Sequence, residues 1–425
     1  MEKKYFASEF LNKSGIKDMV NINPKTETPC NVFWDITFDQ IKNCSSLNFQ
    51  LCRFDRIDFS ILKNLSSRTS ISFHKCEFLS FCDIKFNEID SLNITDCSFR
   101  KKDIAVIISG KIHEITIKNN EKIKSPGYNF MGIECLTLSI ENINSDNSLN
   151  FTHNNNIVNR QLKISDSSFS DINFNQLELN GRVIIEKTNN DVGFDFNTCE
   201  FSLNHCIFNK QITIEDNNFS SIKIDETFFY GISSFQNNTV KSIKFKNSHF
   251  MSRVYFDDLS VKEITKCDRK TIRTIKQELQ KTENRIDYDT FRSYELELYK
   301  NDLVKKEKWW HFKDLFILSL NSLFSKHGIS WRRAIGMTVL FSLGFYTVLY
   351  IIKNLHNDFN ITLNGFNHFT SGYFKFFLIT NFYDPLSENR EYLKYFGEWL
   401  PFIFGKIVIG YGLYETVQSF RKYKK

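Results

Sequence analysis

One short pattern recurs along the first two thirds of the chain, and it limits the possible folds more than any other feature. It reads apolar, any, apolar, two of any kind, a small or polar residue, any, then Phe. Copies stand at Leu47, Phe49, Cys52, Phe54 and at Ile71, Phe73, Cys76, Phe78. Others stand at Leu92, Ile94, Cys97, Phe99, at Leu162, Ile164, Ser167, Phe169, at Ile212, Ile214, Asn217, Phe219, at Ile222, Ile224, Thr227, Phe229 and at Ile243, Phe245, Ser248, Phe250. Cys76 to Cys97 and Thr227 to Ser248 each span 21 residues, while Cys52 to Cys76 spans 24. The alternating apolar pair predicts a short strand with one inward face, the small residue a corner, and the Phe the next inward face. A repeat near this length suits one turn of a parallel β-solenoid, whose coils bury their inward rows by stacking on neighbours. A β-sandwich of alternating strands has no reason to repeat the same corner residue. The expected fold is therefore a mainly β solenoid (a right-handed parallel β-helix of irregular register) over 31–266, after an N-terminal segment 1–30. Weak copies fill Ile104 to Val192, and Asn154-Asn155-Asn156 and Asn217-Asn218 are expected in turns, because Asn tolerates left-handed backbone.

Composition supports this reading. The chain has 44 Phe but only 16 Gly and 5 Pro, so its aromatics must pack in a repetitive core or in lipid. All ten cysteines lie between Cys30 and Cys267, and several take places where other copies have Ser, Thr or Asn. A disulfide framework would not tolerate that exchange, so they are expected to be small buried thiols in a reducing compartment. No pair has zinc-site spacing, and no cofactor is expected. A net charge of +6 over 425 residues predicts no nucleic-acid partner. No Ser-His-Asp set, glycine-rich phosphate loop or paired-carboxylate motif is present. His74, His113, His153, His205 and His249 are scattered and are expected on surfaces or turns. An enzyme is not expected.

After Cys267 the period changes. Ile272, Ile275 and Leu279 share one helical face, and a second helix carries Phe291, Tyr294 and Leu298 beside Glu295 and Glu297. This helical hairpin is expected to cap the solenoid's open end. The connector, 267–330, continues with Trp309, Phe312, Phe316, Leu320 and Leu323 near Lys305, Lys306, Lys308 and Lys313, the pattern of an interfacial membrane helix.

The last part, 331–425, is expected to hold two membrane spans, near 334–352 and 399–420. Ala334 to Ile352 has no charged residue. Trp331, Arg332 and Arg333 precede it as anchors, Trp399 opens the second span, and Arg421 and Lys422 follow it. Lys353 to Glu398 holds four Lys or Arg against five acidic residues. Positive charge thus gathers at the outer ends of both spans. With no signal-peptide core in MEKKYFASEFLNKSG, the expectation is a bacterial inner-membrane protein with both termini cytoplasmic. Lys406 lies in the second span. It marks either a functional site, with a protein partner or a wet cavity, or a snorkelling side chain. Gly405, Gly410 and Gly412 allow close helix approach, so association of spans, and a homo-oligomer, is expected. Ser371 to Ile379 is apolar but too short to cross, and 371–385 is expected to be either a re-entrant or an interfacial segment.

Ile272-Arg273-Thr274-Ile275-Lys276-Gln277, Asn284-Arg285-Ile286 and Phe291 with Glu295 resemble a block in bacterial pentapeptide-repeat membrane proteins. So do Leu320 to Trp331, Gly405 to Tyr411 and Ser419 to Tyr423. The resemblance covers Ile272 to Lys425. The repeat region is similar to degenerate pentapeptide repeats, departing in that their strict five-residue rhythm, with its Ala and Leu, is not legible. Some members of that family are similar to two-helix ion channels, with a pore helix and filter between the spans. The resemblance implies a filter region at Thr380, Asn381, Phe382, Tyr383 and Asp384, with Lys406 nearby. Phe382 stands where a potassium filter needs glycine. Two functions follow as expectations: a channel-like membrane domain under a sensing or assembling solenoid, or a membrane-tethered scaffold whose β-helix surface binds a protein. Defence against phage by membrane permeabilisation is a further use of the same architecture. Membrane lipid is a partner in each.

Overall fold

The computed structural model describes residues 5–11, 19–25, 29–33, 38–54, 59–79, 82–99, 105–120, 124–152, 157–189, 199–305, 312–354, 363–387 and 390–421. The chain divides into Met1–Thr282 and Glu283–Lys425, so the boundary falls inside the expected connector.

The first unit is a parallel β-solenoid. One inward row runs from coil to coil through Val20, Leu47, Ile71, Leu92, Ile115, Leu138, Leu162, Val183, Ile212, Ser233 and Val254, each paired in parallel with the next. Tyr5 pairs with Val32 and Val20 with Leu47, so the stack extends into the first 30 residues, expected to be separate. In the coil that begins at Ile212 the buried side chains Ile214, Phe219, Ile224 and Phe229 fall five residues apart, and Phe235 follows after six. Ile164, Phe169, Phe174, Leu179 and Ile185 repeat that rhythm. Three steps of five and one of six return the chain to its column after 21 residues. A five-residue rhythm is therefore present after all. Coils of other length hide it, such as Leu92 to Ile115 and Val183 to Ile212.

Each corner is built alike. Leu51, Lys75, Asp96, Asp166, His205, Asp216 and Glu226 have φ between +46° and +57°. This left-handed state costs a non-glycine residue roughly 1–2 kcal/mol. The next residue offsets the cost by bonding inward. Cys206 Sγ donates to Phe174 O (3.5 Å) and Asn204 O (3.3 Å), and Thr227 Oγ1 donates to Leu203 O (3.4 Å) and Asp225 O (2.9 Å). Ser248 Oγ reaches Ile224 O at 3.0 Å and Lys246 O at 3.1 Å. Cys, Ser and Thr exchange there because each carries one short donor. Asn217 was expected in a turn, but Asp216 makes the turn and Asn217 is buried. Its Oδ1 accepts from Thr188 N at 2.8 Å and its Nδ2 donates to Ile185 O at 3.0 Å. Asn154-Asn155-Asn156 and His153 lie outside the described residues. His205 and His249 are exposed, and His74 and His113 half-buried.

The phenylalanines stack between coils at the strand spacing: Phe130 on Phe151 (4.8 Å), Phe151 on Phe174 (4.7 Å) and Phe229 on Phe250 (4.8 Å). At the open end, helix α1 (Arg269–Lys281) buries Ile272, Ile275 and Leu279. Cys267 Sγ accepts from Ile243 N at 3.3 Å and Thr271 Oγ1 from Phe245 N at 2.8 Å, occupying donors of the last strand of that wall. This helix covers that end, and the second helix of the expected hairpin belongs to the other unit.

The second unit holds α2 (Arg285–Lys305), α3 (Phe312–Ser325), α4 (Trp331–Asn354), α5 (Leu363–Phe377) and α6 (Phe396–Arg421). Two of these, α4 and α6, are long and apolar enough to cross a membrane. At 1.5 Å per residue they reach about 36 and 39 Å, against a hydrocarbon core of about 30 Å. Only 22% and 39% of their apolar windows are buried. Leu340, Val348, Ile407 and Val417 face outward.

Candidate functional site

The two long helices run antiparallel. Trp331 at the start of α4 stacks on Phe420 near the end of α6, with ring centroids 5.3 Å apart. Further along, a side chain on Gly412 would strike Thr338, and one on Gly405 would strike the Phe376 ring. Two of the expected small residues thus permit this packing, and Gly410 lies against Ile379.

Helix α5 packs on this pair. It begins eight residues before the expected short segment and has 15 residues, about 22 Å and too short to cross. Tyr346 from α4 is buried against it, and its hydroxyl donates to Phe369 O at 2.8 Å. Ser342 Oγ and Tyr373 Oη lie 2.9 Å apart. The C-terminus of α5 meets Lys406 of α6. The Lys406 ammonium donates to Phe376 O (2.7 Å) and Leu378 O (2.6 Å) and lies 5.4 and 5.1 Å from the ring centres of Phe376 and Phe402. It is 8% exposed, so it does not snorkel but neutralises the negative end of a helix.

Beyond that end, Asn381 Nδ2 donates to Lys375 O at 3.1 Å, and Asn381 Oδ1 accepts from Tyr383 N at 3.1 Å. Thr380 and Phe382 are exposed, and Tyr383 packs on Tyr392 at 5.2 Å. Asp384 is buried. It pairs with Lys353 at the end of α4 and accepts from Leu386 N at 3.0 Å. Lys406 and Asp384 therefore serve different ends of one loop, and each has its own partner. Among the anchors, Arg332 lies over the Trp331 ring at 5.5 Å, and Arg333 Nε donates to Leu323 O, near the end of α3, at 2.9 Å. Trp399 Nε1 donates to Leu393 O at 3.1 Å. Arg421 is the last residue of α6, and Trp309 and Lys422 lie outside the described residues.

A second polar group gave no sequence signal beyond a lone Glu in an apolar stretch. Glu415 of α6 is buried, and its Oε2 accepts from Ser325 Oγ at 2.6 Å. The Asn321 carboxamide, in the orientation that satisfies both groups, donates to Glu415 Oε1 at 3.1 Å. Beside them His327 Nε2 lies 3.2 Å from Glu297 Oε2 of α2, and burial lowers the imidazole pKa although Glu297 opposes the shift.

Comparison with protein families, with curated proteins and with solved structures finds no match to this chain. Fold and site together define a β-solenoid protein followed by helices, two of which can cross a membrane.

Proposed function

We propose that the chain is a channel-like protein of the bacterial inner membrane that works by assembly rather than catalysis. In this reading α4 and α6 of several copies surround a pore, with α5 as a short inner helix and the solenoid in the cytoplasm as the sensing or assembling part. One observation carries it: a helix too short to cross is held between two spanning helices by a buried lysine from one of them. Lysine at that depth is costly and persists where it has a role. The largely apolar, exposed faces of α4 and α6 suit lipid and other copies. Exposed Phe312, Phe316 and Ile317 on α3 suit the membrane surface. The test is ion flux through purified protein in liposomes, wild type beside Lys406→Leu and Asp384→Asn. Flux that changes with either substitution supports a pore, and absence of flux under every ionic and voltage condition favours the second reading.

That second reading is a non-conducting, membrane-tethered scaffold whose solenoid binds a protein. What favours it is the engagement of Phe376 O and Leu378 O by Lys406, since carbonyls bonded to an ammonium cannot line an ion filter. Membrane permeabilisation in phage defence is one setting for the first reading.

A further inference from the structure

We propose that a basic notch in the solenoid wall binds a soluble phosphorylated anion of nucleotide size. Arg160, Gly181, Lys210 and Gly231 occupy one corner on four consecutive coils, as the pairings Gln161–Arg182, Val183–Ile212 and Ile212–Ser233 require. A β-carbon on Gly181 would lie 2.5 Å from the carbonyl carbon of Arg160, and one on Gly231 would strike the Lys210 backbone. The coils therefore close up tightly here. The rung between Arg160 and Lys210 carries no side chain, and those two backbones stand two strand spacings, about 10 Å, apart. The gap is a cavity of about 440 Å³, flanked by Arg160, Lys210 and Arg182 and rimmed by Asn159, Gln161 and Gln211. That volume lies in the range of small-ligand sites.

Among the described residues, no acidic side chain lines the notch. Elsewhere on the solenoid, lysines face acids on neighbouring coils: Lys163 meets Glu186 at 3.2 Å, Lys223 meets Glu200 at 2.7 Å and Lys246 meets Asp225 at 3.1 Å. By contrast, Arg160, Arg182 and Lys210 form no ion pair with any described residue, and three cations without a described acidic partner around an open floor favour an anion. Guanidinium groups match phosphate oxygens in pairs, and an ammonium adds a point charge. Cations carried on backbones about 10 Å apart can reach two phosphoryl groups of one molecule, and the carboxamides can bond its polar body. Such a ligand would give the solenoid something to sense whether or not the spans conduct.

The test uses the full chain in detergent micelles, titrated calorimetrically with ADP and with pyrophosphate. Saturable binding is expected, weaker at high salt, and about tenfold weaker when Arg160→Gln or Lys210→Gln removes one charge-assisted contact. Arg182→Gln should act likewise, and Lys163→Gln, on the same wall but paired, should leave binding unchanged. These side chains are at the surface, so circular dichroism should report intact folding in each variant. Absence of saturable binding of both probes overturns the proposal. So does equal binding by wild type and Arg160→Gln/Lys210→Gln. Displacement of ADP by phosphatidylglycerol vesicles in the wild type would assign the notch to lipid headgroups and overturn the soluble ligand.

Discussion

Lys406 Nζ stands 2.7 Å from the carbonyl oxygen of Phe376, so the last turn of α5 ends on a cation supplied by α6. Helix C-termini leave carbonyls without intrahelical partners, and at bilayer depth no water replaces them. Lys406→Leu strands Phe376 O at a cost of roughly 1–3 kcal/mol, and takes from Leu378 O one of two donors, the other being Asn381 N at 3.0 Å. Thermal unfolding of the detergent-solubilised protein should fall accordingly, and amide exchange should speed up first in 363–377. Unchanged protection there would show that α5 is held by its apolar packing alone.

At Gly412, α6 lies so tightly on α4 that an added side chain would strike Thr338. Gly412→Val should force the helices apart and lower stability by several kcal/mol, in the range for severe overpacking. The double variant Gly412→Ala with Thr338→Ala should recover part of the loss, read as partial rescue of the melting temperature.

At the solenoid corners the chemistry is a donor, not a residue type. Thr227→Ser should be nearly silent, whereas Thr227→Val, the same shape without the hydroxyl, should cost about 1 kcal/mol in denaturant unfolding. Burial pushes the Cys199 and Cys206 thiols up to about 12. Iodoacetamide near neutral pH should leave both unmodified in the native chain and label them on unfolding.

Asn217 bonds in both directions along the stack. Asn217→Leu leaves Thr188 N–H and Ile185 O short of partners and should destabilise by roughly 3 kcal/mol. Asn217→Asp keeps the acceptor, loses the donor and brings a charge inside, so it should be worse still. Denaturant midpoints of the three proteins decide the order.

The His327 imidazole is harder to protonate in the folded chain than in the unfolded one, because burial outweighs Glu297. Glu297 and Lys300 face it from α2, with Glu415 on α6. A depressed pKa means that the unfolded state takes up the proton first. Stability should therefore be full above the unfolded value, about 6.5, and decline as pH falls from there through the folded value. His327→Gln should flatten that part of the melting-temperature profile. An unaltered slope would place the acid sensitivity elsewhere.

Much of this was legible because packing and sequence share a period. Ile71–Phe73 and Ile222–Ile224 announce an inward face directly, and Thr227 to Ser248 marks one coil. The five-residue step was hidden because Ile, Phe and Leu share the central position and because some coils carry extra residues. Lys406 stood out as a charge in an apolar run, but its acceptors are backbone carbonyls of another helix, which no side-chain pattern reports. Glu415, Ser325 and His327 meet through tertiary packing of helix ends. The notch at Gly181 is a vacancy in a row of side chains, visible only once coils are placed in register.

The helix α1 that closes the last coil also makes the array directional. Every interior coil offers the same two ladders of backbone groups, one up and one down, while α1 seals only one end. A whole coil of the Ser233-to-Val254 length can therefore be inserted or deleted in the interior without disturbing that seal. Each insertion lengthens the stack by one strand spacing, about 4.8 Å. The distance between a ligand on the wall and the end of the stack is thus set by coil number, a length that duplication can tune in fixed increments.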